Sequence, residues 1–108
     1  MTASPTVFIE GVALWAPTLP GWDIARAAFR GDASAGVDPP ARRPAPELLP
    51  LAERRRAPDT VALALEVATH AVAQSGRGAE SLLSVFTSAH GDLAVIDAIC
   101  STLVSAPT

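Results

Sequence analysis

Apolar and polar positions alternate between two rhythms along this chain. From Val7 to Trp15 almost every position is apolar, and Val, Phe, Ile, Leu and Trp dominate. Such a run predicts a strand covered on both faces. Gly11 inside it signals a close backbone approach or a bulge, and Pro17 and Pro20 end it. From Gly21 to Arg30 the spacing changes. Trp22, Ala25 and Phe29 fall on one side while Arg26 and Arg30 turn away, which predicts a short helix stopped at Gly31.

The strongest helical pattern covers residues 59–75. Val61, Leu65, Ala68 and Val72 make one stripe, and Leu63, Val67, His70 and Gln74 make its neighbour. Alanines fill most of the rest, so the helix is expected to be buried nearly all round. Pro58 and Asp59 suit its start, and Gly76-Arg77-Gly78 stops it. Residues 82–87, Leu-Leu-Ser-Val-Phe-Thr, predict a second buried strand. A small-residue turn, Ser88-Ala89-His90-Gly91, leads to a last helix over 92–104. There Leu93, Ile96, Cys100 and Leu103 share a face, and Asp92 sits at the positive end.

Between these elements, residues 32–46 break the pattern. Asp38 to Pro46 is too rich in proline for regular helix or strand and reads as an extended surface loop. A connection this long is usually functional or mobile. Glu47 to Arg56 holds a short helix around Leu48, Leu49 and Leu51. The expected fold class is therefore α/β, a mixed sheet with helices packed on it. The chain reads as one incomplete domain over 1–108, ending where the next strand of a βαβ unit is expected.

Composition narrows the function classes. Of 108 residues, 49% are hydrophobic but only 5% aromatic, so any core is built from Ala, Val and Leu and buries little area per side chain. The net charge is −3 and all eight basic residues are Arg, which offers no broad positive surface for a nucleic acid. The single Cys excludes an internal disulfide and a Cys-based metal cluster. The first residues lack a basic signal-peptide region. Glu66, His70, Asp92 and Asp97 interrupt the runs that would otherwise approach the ~18 apolar residues of a membrane span. A cytoplasmic soluble protein is the expectation.

Four features invite a chemical reading. His90-Gly91 lies at a strand-to-helix turn, where ligands often sit, but one glycine is far from a phosphate-binding loop. Cys100 falls late in a helix on an apolar stripe, which suits a small buried hydrophobe better than a nucleophile. His70 lies mid-helix with no partner at metal-ligand spacing and reads as half-buried and hydrogen-bonded. Arg54-Arg55-Arg56, with Arg42 and Arg43 upstream, is the one strong charge run. It either docks an acidic partner or pairs locally with Glu47, Glu53 and Asp59.

Three blocks carry a family resemblance. They are Phe8-Ile9-Glu10-Gly11-Val12, Glu53-Arg54-Arg55-Arg56-Ala57-Pro58, and Val85-Phe86-Thr87-Ser88-Ala89-His90-Gly91-Asp92-Leu93. With the order of elements, they make the chain resemble the N-terminal part of a β-ketoacyl synthase, of the thiolase-like superfamily. Within it, the chain is similar to the divergent synthase and chain-length-factor-type proteins of bacterial polyene and type II polyketide clusters. The resemblance implies a partial thiolase-like fold and a place in acyl-chain elongation by decarboxylative Claisen condensation, of fatty acid, polyketide or aryl-polyene type.

The same resemblance implies that no catalytic residue is present. The family's nucleophilic Cys follows a later strand, beyond Thr108, and its two His residues come later still. Cys100 matches a helix position that is not the nucleophile. The family's turn after the second of these strands is commonly glycine-rich, and Ser88-Ala89-His90-Gly91 departs from that. No cofactor or metal is implied. The implied partners are an acyl carrier protein and a ketosynthase subunit in a homo- or heterodimer; the charge run Arg54, Arg55 and Arg56 is the candidate docking surface for the acidic carrier. A non-catalytic chain-length-factor-like or docking module, and a small structural α/β domain, are the alternatives.

Overall fold

The helix that the pattern marks most strongly is also the axis of the molecule. The computed structural model describes residues 3–106. Four α-helices follow in order: α1 (Trp22–Phe29), α2 (Leu51–Arg56), α3 (Asp59–Ser75) and α4 (Leu93–Ser105), with one 3-10 turn at Ala79–Ser81. Helix α3 begins after Pro58 in extended conformation and ends at Gly76, which takes φ 72°. That left-handed cap is open to glycine at no steric cost.

Two extended segments lie on α3. Gly11 sits against its C-terminal half, and residues 85–88 line a groove together with residues 11–13 and α3. Gly11 is pressed against the helix backbone: a Cβ there would overlap the Ala71 carbonyl oxygen. The close approach expected of this glycine is therefore present. Two polar links secure it. The Val12 N–H donates to Gln74 Oε1. The Arg77 guanidinium grips the Glu10 carboxylate through both oxygens, Nη2 to Oε1 at 2.7 Å.

The mixed sheet is not formed. Residues 7–15 and 82–87 are not strands, and the one β-bridge among the described residues joins Ala16 and Leu19 within a tight turn. The expected α/β class, with its partial thiolase-like sheet, is thus corrected to a set of helices with extended segments. The physical reason is pairing. An apolar, β-branched sequence suits a pleated surface, but a strand exists only where a second backbone lies beside it. Residues 7–15 and 83–90 make no backbone–backbone hydrogen bonds. A groove separates them. Leu83 is fully exposed and Val85 is 88% exposed, so 82–87 is not the buried element its composition predicts.

The helices stand closer to expectation. The first spans Trp22–Phe29 rather than 21–30, with Trp22 and Phe29 meeting edge to face at 6.4 Å. The last spans Leu93–Ser105 rather than 92–104, because Asp92 is its N-cap and accepts from the Val95 N–H. Helix α3 matches 59–75, but only Ala62 is buried in it and its other faces are half-buried or exposed. The expectation of burial nearly all round fails because nothing covers its second side.

The proline-rich segment is a largely exposed loop without helix or strand, as expected, and it is tied to the chain before α1. Val37 N–H donates to the Thr18 carbonyl and Ala41 N–H to that of Pro17, at 2.9 and 2.6 Å. Pro44 and Pro46 are buried. Proline gives up no amide on burial and loses little conformational freedom, so it fills an interior position at low cost.

Burial overall is small. The accessible surface is 8732 Å², about 3,000 Å² more than the ~5,700 Å² of a compact monomer of this mass. The radius of gyration is 18.0 Å, against ~13 Å for a compact domain of about this length. No helix of this chain is long and apolar enough to cross a membrane, among the described residues.

The contacts on α3 lead to two predictions. Gly11→Ala places a methyl group against the Ala71 carbonyl, and urea denaturation should show a loss of about 1–3 kcal/mol. Acid should loosen the same segment. Arg77 holds the Glu10 carboxyl below its ordinary value of 4.5, first by hydrogen bonding and then by charge. A lowered carboxylate value means that the pair's contribution is complete above about pH 4.5. It is lost as pH falls through the lowered value. Trp15 fluorescence in a Trp22→Phe background should report that transition, and Glu10→Gln should abolish it.

Candidate functional site

The arginine run occupies α2, a helix of six residues. Ala57 behind it is extended, with ψ 134°, as the residue before a proline prefers. The chain therefore turns sharply between α2 and α3, and Arg43 closes that turn. Its guanidinium donates to the carbonyls of Arg54 and Ala57 at the end of α2. Its Nε lies 2.7 Å from Asp59 Oδ1 in the first turn of α3. A cation at a helix C-terminus and an anion at a helix N-terminus are both favourable, and one side chain joins the two.

The three arginines of α2 do not stand alike. Arg54 folds back along its helix and donates to the carbonyls of Leu49 and Glu47, at 3.0 and 3.4 Å. Its Nε is buried without a partner. Arg55 and Arg56 are exposed. Local pairing of the run forms in part: Arg43 pairs with Asp59, while Arg54 reaches the carbonyl of Glu47 rather than its carboxylate, and among the described residues no arginine pairs with the carboxylate of Glu47 or Glu53.

The second feature is the groove over α3. Its volume is about 970 Å³. Gly11, Val12 and Ala13, Val85 and Phe86, and Ala64 and Ala68 of α3 line it. Thr60, Thr87 and Ser88 supply its few side-chain hydroxyls, and among the described residues no charged one lines it. An apolar cleft with little polar decoration can take an apolar chain or side-chain surface, but its hydroxyls have no acid or base beside them in its lining.

The remaining candidates are spread out. Cys100 lies in the second half of α4 and is exposed, not buried as its apolar stripe predicts, as is every residue of that helix. His90 is exposed in the turn before α4, where the Gly91 N–H donates to Ser88 Oγ. His70 is exposed on α3, with its Nε2 3.4 Å from Glu66 Oε1 one turn earlier, and borders a smaller cavity with Gln74, Trp22 and Asp23. The expectation of a half-buried His70 is corrected for the same reason as α3: that face lacks a cover. Among the described residues no three His, Cys, Asp or Glu side chains gather as a metal site would need.

Sequence reasoning passes over two residues that matter. Glu10 reads as an interruption of an apolar run, and Arg77 as part of a helix stop, yet they pair across 67 positions. Asp32 is a local case: it accepts from the Ser34 N–H and hydroxyl, and these bonds lower its carboxyl value. No family model matches the chain, and neither a curated protein nor a solved structure matches it.

Arg43 and Arg54 should behave as structural residues. Arg43→Ala leaves carbonyls at the end of α2 and Asp59 without their cation. Its partly exposed setting limits the loss to about 1 kcal/mol in thermal or urea unfolding.

Proposed function

We propose that this chain is a non-catalytic segment of a β-ketoacyl synthase-like system serving acyl-chain elongation. Its direct task is to dock an acidic acyl carrier protein through Arg55 and Arg56. The observation that carries the reading is the division of labour on α2. Arg54 is spent on the carbonyls of Leu49 and Glu47, and Arg43 on the turn into α3, while the two arginines beyond them remain exposed. Arginine forks are suited to carboxylates and phosphates, and their planar donors lose little freedom on binding. Docking needs no sheet, so it does not depend on the fold that the sequence led one to expect.

The non-catalytic part of the reading rests on placement. Acyl transfer through a thioester needs a Cys activated by a helix N-terminus or a cationic neighbour. Cys100 has neither, being well inside α4 among Ile99, Ser101 and Leu103. This leaves docking, rather than acyl transfer, as the role for this chain's own residues.

Binding of a purified acyl carrier protein tests both parts. Arg55→Ala/Arg56→Ala should weaken binding about 5- to 30-fold, the equivalent of one to two kcal/mol for two exposed charges, and should flatten its salt dependence. Arg54→Ala should lower thermal stability and change affinity less. Unchanged affinity in the double variant removes the docking role. Turnover of a malonyl-carrier by the 108-residue chain removes the non-catalytic one.

A further inference from the structure

We draw no further inference here: the strongest candidate, the apolar groove over α3 lined by Gly11, Val12, Ala64, Ala68, Val85 and Phe86, carries nothing, because no feature of the structure shows what covers it.

Discussion

The contact on which the rest depends is that of Gly11 with the backbone of α3. It brings an extended segment down to the level of a helix, with no side chain between them. Everything on that side follows from this approach. The Val12 amide reaches Gln74 because Gly11 has already closed the gap, and Glu10 reaches Arg77 because the segment then runs past the end of the helix. A larger residue at this position would hold the segment off, and both links would lengthen together. The coupling is geometric: one atom of clearance governs three contacts that are far apart in sequence.

The other extended segment on α3 has no such fastening. Residues 85–88 border the helix but make no backbone–backbone hydrogen bonds, and α4 follows them into open solvent. The groove lies where the segments 11–13 and 85–88 both border α3 without pairing with each other. Ala64 and Ala68 in its lining pack closely when covered and contribute little when they are not. Apolar residues at both ends stay more than half exposed: Val7, Phe8 and Ile9 before the Gly11 contact, and Val85, Phe86, Ile96, Ile99 and Leu103 after α3.

This asymmetry explains which parts of the fold can be read from sequence. Helices close their hydrogen bonds locally, so α1, α3 and α4 appear within a residue of where periodicity and caps put them. Strands close theirs with a distant partner. The composition of 7–15 and 82–87 says that a pleated surface would suit them but cannot say that one is there. Burial fails in the same way. An apolar stripe specifies a face that seeks cover, and at Cys100 and His70 the cover is missing. The charge run was legible as a run, but the roles within it were not. Whether an arginine faces inward depends on which carbonyls the turn at Ala57–Pro58 leaves free, and that is settled by the fold.

Arg43 shows why the inward arginines come with the outward ones. A six-residue helix carrying three consecutive like charges has little reason to form alone. What steadies it is a cation at its C-terminal carbonyls that is also bound to Asp59 on the next helix, and a second cation folded back onto Glu47 and Leu49. Both are arginines: Arg43 uses the spread of its fork, with Nη2 on carbonyls and Nε on Asp59, and Arg54 places one Nη2 between two carbonyls. The exposed pair, Arg55 and Arg56, therefore stands on a base built from the same residue type. Removing charge from the base changes the shape of the platform, while removing it from the exposed pair changes only what the platform offers. The two groups have separable consequences because the turn between α2 and α3 puts one set of guanidinium groups against carbonyls and leaves the other in water.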